Sequence, residues 1–226
     1  MIPISDSIRS HRTPWITYAL IVLNIGIYAL PSVFGLADYT KMVQTFGLIP
    51  FRVMRSFDLE AIADLLTSMF LHGSWLHLGG NMLYLWIFGD NVEDALGPIG
   101  YIAFYLLGGL LASAAHILSN PASTVPTIGA SGAIAAVLGA YLVLFPASRV
   151  RTIIPLGFFV RIAILPASVV LGLWFVLQLL QGFLTSGGGT DAGGVAVWAH
   201  VGGFAAGAVL AWLISPPTRR DRWDSR

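Results

Sequence analysis

Ser131, His200, His77 and Asn81 are the residues of this chain whose types and placement could do chemistry together. Ser131 lies in Gly129-Ala130-Ser131-Gly132 and opens an apolar stretch long enough to cross a bilayer. His200 and the pair His77/Asn81 lie in two other such stretches. Polar groups at membrane depth are costly and are usually kept for function. A serine hydroxyl is a weak nucleophile until a base takes its proton, and imidazole is a common base. A serine, a histidine and an amide in one membrane domain point to hydrolysis inside the bilayer. The chain has no cysteine, which excludes disulfides, thiolate catalysis and thiolate metal sites.

His200 is the candidate base for Ser131. An acidic third member would normally orient the histidine, but the only acid within the apolar stretches is Asp90, far from Ser131 in level. The expectation is a Ser–His dyad with the histidine held by packing. An oxyanion needs preorganised donors. Ser131 begins a helix, where backbone N–H groups lack intrahelical partners and the dipole is positive. Gly129 and Gly132 keep that backbone open to a carbonyl. His77 and Asn81 share a helix face at i,i+4 spacing, so both can address one oxygen. Each residue also has a plainer reading. The serine could pack helices, Asn81 could bond between them, and both histidines could be interfacial. His72 and His116 are expected to satisfy local hydrogen bonds near the outer interface. His72 and His77 are five apart, a poor chelating interval, and no His-Glu-x-x-His motif occurs, so no metal is expected. The Gly-x-Ser-x-Gly elbow of soluble hydrolases is not matched, because Ala133 stands at its last position.

The elements that must position these groups follow from composition. Hydrophobic residues make up 56% of the 226 and charged residues only 10%, against about 25% charged in soluble domains. The chain reads as an integral, all-α membrane protein. Six spans are expected, roughly 15–34, 75–92, 98–118, 128–146, 164–184 and 195–214, each near the ~20 residues that cross ~30 Å. A long first external loop, 35–72, has mixed polarity, and Tyr39 to Arg55 reads as an interfacial part. Residues 1–14 and 215–226 are expected as cytoplasmic segments flanking one membrane domain, 15–214. With six spans, nine of the twelve Lys and Arg fall on one side, which the positive-inside rule makes cytoplasmic. A signal peptide is the competing reading of the first span. Its apolar run is long for that role and no small-x-small cleavage site follows. The net charge of +1 carries no basic tract dense enough for nucleic acid.

In this topology spans two, four and six run in the same direction, so their N-terminal ends share the outer level. His77, Asn81 and Ser131 lie near those ends, and His200 is the sixth residue of its span, ~8 Å along the axis. Three distant segments thus place polar groups at similar depth. Span six carries His200, Gly203 and Gly207 on one face, and span four carries Ser131, Ala135 and Gly139. Small residues on facing stripes let helices approach closely in lipid.

The residues resemble the rhomboid family of intramembrane serine proteases over roughly 60–214. Gly129-Ala130-Ser131-Gly132 resembles its Gly-x-Ser-Gly nucleophile motif. His77 to Asn81 resembles its His-x-x-x-Asn motif. Ala199-His200 followed by Gly203 and Gly207 resembles its last-helix pattern, and Glu93 followed by Gly97 the acidic close of the second helix. The resemblance implies a six-transmembrane-helix bundle with Ser131 as nucleophile and His200 as general base, then acid. It implies an oxyanion site of Asn81, His77 and the Ser131 N–H, and no cofactor. Its substrates would be single-pass transmembrane proteins cut near their outer end, usually after a small residue. Loop 185–194 would match a mobile cap, with span five as a lateral gate. Two departures stand out. Ala63-Asp64 occupies the stretch where the family often has Trp-Arg. Ala135 stands where the family often stacks an aromatic on the catalytic histidine, leaving Trp198 as a candidate partner. The rival readings are a helix-binding relative without activity and a small transporter. The first typically lacks the serine or the histidine, and the second keeps its polar groups near the midplane. The short tails point to a prokaryotic cytoplasmic membrane.

Overall fold

Six helices of 14 to 22 residues carry the computed structural model, which describes residues 1–157, 159–185 and 196–214. They are α1 (Trp15–Phe34), α5 (Trp75–Leu96), α6 (Pro98–Ser119), α7 (Ser131–Leu144), α8 (Ala167–Thr185) and α9 (Val197–Ile214). Four of them, α1, α6, α8 and α9, are long and apolar enough to cross a membrane. The chain is a mostly helical, multi-pass membrane protein with four candidate spans. Their outward faces are apolar too, with Val22 and Leu23 on α1, Val176 and Leu177 on α8, and Val209 and Leu213 on α9 all exposed. Such faces suit hydrocarbon as a solvent, where only satisfied backbone can be exposed.

At the centre stands α7, only 14 residues long. Eleven of its residues are buried, Gly132 to Tyr141 and Leu144. It packs most extensively on α9 and also on α5, α6 and α8. The α7–α9 seam is a backbone-to-backbone crossing. A Cβ at Gly203 would meet the Gly132 carbonyl, one at Gly207 the Ala136 carbonyl, and one at Gly139 the Phe204 carbonyl.

The first loop is helical rather than extended. It holds α2 (Tyr39–Phe46), α3 (Pro50–Arg55) and α4 (Leu59–Thr67), followed by a 3-10 turn at Ser68–Phe70. Asp38 caps α2 by accepting from the Lys41 N–H, and Asp58 caps α4 by accepting from that of Ala61. Leu48, Val53 and Ala61 join Ile117 of α6 in a satellite core that fastens the loop to the bundle.

The all-α expectation needs correction. Ile2–Asp6 (β1), Arg149–Leu156 (β2) and Phe159–Pro166 (β3) form an antiparallel sheet in the order β1-β2-β3. The stretch is rich in β-branched residues, with Thr152, Ile153 and Ile154 on one strand and Val160, Ile162 and Ile164 on the next. Such side chains suit a pleated surface, and Gly157, at φ +63°, makes the turn between the two strands. The fifth helix therefore starts at Ala167 rather than 164, because Ile164 to Pro166 pair with Arg151 to Arg149. The fourth is likewise 131–144 rather than 128–146, and the second runs on to Leu96.

That extension of α5 has a use. Pro14, the residue before α1, offers no side-chain cap. Glu93 of α5 does so from across the bundle. Its two carboxylate oxygens accept from Ile16 N–H at 3.0 Å, Thr17 N–H at 2.8 Å and Thr17 Oγ at 2.8 Å. A carboxylate at a helix N-terminus satisfies orphan donors and the dipole together.

Candidate active site

Ser131 is the first residue of α7, and no side chain caps that helix. The segment before it is pinned by backbone and side-chain bonds. Thr127 pairs with Leu48, the Thr127 hydroxyl lies 2.8 Å from His116 Nε2, and Gly129 N–H donates to the Ser68 carbonyl at 2.9 Å. Gly129 has φ +133°, a conformation L side chains rarely adopt, and a Cβ there would also strike the His77 ring at 2.9 Å. Only glycine lets that imidazole lie directly against the approach to Ser131.

On the other side is His200, in the first turn of α9 and only 7% exposed. Its Nε2 is 2.7 Å from Ser131 Oγ, a hydrogen bond spanning 69 residues of sequence. The seam explains the distance. Gly132, next to Ser131, and Gly203, about one turn after His200, bring the two backbones together, with Ala112 of α6 against both. His200 Nδ1 lies 2.9 Å from Gln178 Nε2 on α8. The Trp174 ring sits 5.9 Å from the imidazole at a tilt of 37°.

His77 and Asn81 occupy successive turns of α5. Ser74 caps that helix by accepting from His77 N–H at 3.1 Å. Asn81 is buried, and its Nδ2 has no hydrogen-bond partner among the described residues. A buried donor left unpaired is costly, and it is what a site holds ready for an incoming oxygen. His72, expected to bond locally through its ring, is different. Its backbone N–H donates to, and its carbonyl accepts from, the Tyr39 hydroxyl, each at 2.7 Å. Neither ring nitrogen has a partner among the described residues. Its ring meets that of His77 edge-on at 5.1 Å. Burial, helped by His77, pushes His72 down to about 4. At neutral pH it is an uncharged wall behind His77.

Residues 60–217 match the family model described as the rhomboid domain. The chain belongs to the rhomboid family. It is similar to rhomboid protein 1, mitochondrial, of Saccharomyces cerevisiae, at 26% identity over 211 residues, 92% of this chain and 55% of the yeast protein. It is 29% identical to rhomboid-like protein 11, chloroplastic, of Arabidopsis thaliana over 87% of this chain and 64% of that one. The rhomboid protease GluP of Bacillus subtilis is 34% identical over 132 residues, 57% of this chain and 24% of GluP. The chain thus spans less than two thirds of the length of each of these relatives.

Within this rhomboid domain the two departures acquire partners. Asp64 accepts from Arg52 Nη1 at 2.7 Å, an ion pair that ties α4 to α3. Ala135 faces no need for an aromatic, because Trp174 of α8 supplies the ring beside His200. Trp198 instead stands edge-on to Phe183, 5.8 Å away. Gln178 and Trp174 are the site neighbours that sequence reasoning missed. The signal was present in Gln178, which with Gln181 is one of two amide side chains in a mainly apolar helix. The loop expected as a cap, 185–194, lies outside the described residues except for Thr185 at the end of α8. The tail 215–226 lies outside them as well.

Proposed function

We propose that this protein is an intramembrane serine endopeptidase that cuts transmembrane helices of substrate proteins near the outer membrane face. The observation that carries the reading is the 2.7 Å bond between Ser131 Oγ and His200 Nε2 in a multi-pass membrane chain of the rhomboid family. Ser131 Oγ attacks the scissile carbonyl carbon while its proton passes to His200 Nε2. The carbonyl π electrons move to oxygen, giving a tetrahedral oxyanion. The Ser131 N–H, the free Asn81 amide and a His77 ring nitrogen are its donors. Collapse breaks the C–N bond, and His200 returns the proton to the leaving nitrogen. Water, deprotonated by the same imidazole, then releases the acyl group and restores Ser131. No cofactor enters.

In this reading α5 and α7 complete six spans. The four apolar helices and the central position of α7 favour it, since α7 is short but almost entirely walled by protein. The basic residues favour both termini on the cytoplasmic side of what we propose is a prokaryotic membrane, and the N-terminal ends of α5, α7 and α9 then lie at the outer face. Partners are single-pass membrane proteins and the bilayer itself.

The test is cleavage of a single-span substrate by the purified protein in liposomes, alongside Ser131→Ala and His200→Ala. The expected result is product from the wild type and at least a 10³-fold loss in each variant, as for dismantled serine–histidine pairs. Cleavage that survives Ser131→Ala overturns the assignment. Folded wild-type protein that cuts nothing across several substrates favours a helix-binding relative without activity.

A further inference from the structure

The imidazole of His200 is engaged at both ring nitrogens. Nε2 faces Ser131 Oγ at 2.7 Å, and Nδ1 faces the side-chain amide of Gln178, with its nitrogen placed nearest at 2.9 Å. The same helix lays Trp174, one turn earlier, beside the ring. Helix α8 therefore supplies both a face and a polar contact for this one histidine.

The two nitrogens are linked through the tautomer. Nε2 can take a proton from Ser131 only while it is the bare nitrogen, which requires the hydrogen to sit on Nδ1. A primary amide has an acceptor oxygen and a donor NH₂ of nearly equal shape, exchanged by a half-turn about Cγ–Cδ. With the amide oxygen toward the ring, Gln178 accepts from Nδ1–H, and the Nε2 lone pair is left for Ser131. With the NH₂ toward the ring, Nδ1 must be bare, Nε2 carries the hydrogen, and the ring is no base. The acceptor arrangement also strengthens when Nε2 gains the serine proton, because the Nδ1–H···O bond then becomes charge-assisted. The donor arrangement has no counterpart in an imidazolium.

We infer that the amide is turned so that Gln178 is the positioning residue of His200: the Nε2–Ser131 pairing requires hydrogen on Nδ1, and the Gln178 amide oxygen, brought to the ring by the half-turn, accepts from Nδ1–H, fixes the base-competent tautomer and steadies the imidazolium. This deepens the protease reading and rests on it. A carboxylate does this in soluble serine hydrolases. An amide does it here without placing a formal charge at membrane depth, where charge is expensive. It also replaces the expectation that packing alone holds the histidine.

The experiment uses the full chain in nanodiscs with ¹⁵N-labelled histidine, the His200 signals being assigned by their loss in His200→Gln. The wild type should show hydrogen on Nδ1 and a bare Nε2 at neutral pH. Gln178→Leu, close in size and without polar atoms, should lose that fixed pattern. A bare Nδ1 in the wild type, or an unchanged pattern in Gln178→Leu, overturns the proposal whether or not any substrate is cut. In cleavage, Gln178→Leu should lower kcat about tenfold with KM unchanged, the worth of one hydrogen bond, and Gln178→Glu should recover most of it. Wild-type kcat in a folded Gln178→Leu overturns the role. Should that variant not fold, Gln178→Met takes its place under the same criteria. Lost cleavage in Ser131→Ala beside unaltered cleavage in Gln178→Leu would sink this inference and leave the protease reading standing.

Discussion

His72 enters the fold as an uncharged ring with nothing to bond to among the described residues. The sign of its pH dependence follows. Burial holds its folded pKa at about 4, below the ordinary imidazole value of 6.5. Between those limits the unfolded chain takes up a proton that the folded chain refuses, so stability is full above about 6.5 and falls as pH drops toward 4. Replacing His72 with Leu, of similar bulk, removes this pH dependence. The melting temperature of the wild type in detergent should fall faster between pH 6.5 and 4 than that of His72→Leu. Parallel curves would show that the ring finds a proton-tolerant environment. At the same scale, the four site residues were legible because each is a polar type in an apolar stretch. Their mutual distances were not. Gln178 carried the same signal, but which face α8 turns inward is decided by packing with α9.

The seam between α7 and α9 is where element geometry decides the site. Gly207 admits the Ala136 carbonyl into the space a side chain would fill. Gly207→Ala forces the helices apart against backbone, which has no rotamer to change. The expected cost is about 1–3 kcal/mol of stability, with cleavage falling more than the fraction unfolded explains, since the Ser131–His200 bond depends on that separation. A variant with wild-type melting and cleavage would mean the seam has slack. Small residues at spacings of three, four and seven made this crossing legible. The four apolar helices were legible from hydropathy alone. The sheet was not: Arg149, Arg151 and Arg161 marked the stretch as a connecting loop, and the apolar run from Ile164 merged with the fifth span. The short helices of the first loop were hidden for the opposite reason: mixed polarity concealed two Asp-capped turns.

Across the whole molecule, the end away from the site is closed by its first residues. Strand β1 pairs with β2, and Asp6 accepts from the Tyr141 hydroxyl at 2.5 Å and from Asn91 Nδ2 at 2.8 Å. One carboxyl thus joins the amino-terminal strand to the C-terminal halves of α5 and α7, the two helices that carry His77, Asn81 and Ser131. Asp6→Ala leaves Tyr141 with Ser148 and Asn91 with Asp90. The loss should be about 1–2 kcal/mol, read as a lower melting temperature with the Ser131–His200 chemistry intact below it. An unchanged melting temperature would mean that strand pairing alone holds this end.

The 14 residues of α7 give it a length of about 21 Å, against ~30 Å of hydrocarbon. If α7 is a span, part of the missing third falls to the irregular run ahead of it, which is pinned to Leu48 and to the Ser68 carbonyl. In the proposed reading the nucleophile is therefore sunk below the surface like a blade set back in its housing. The position of a cut is then measured from the start of α7 and not from the lipid headgroups. In a thicker bilayer the same substrate would be met at a different residue, so membrane thickness becomes a ruler for cleavage.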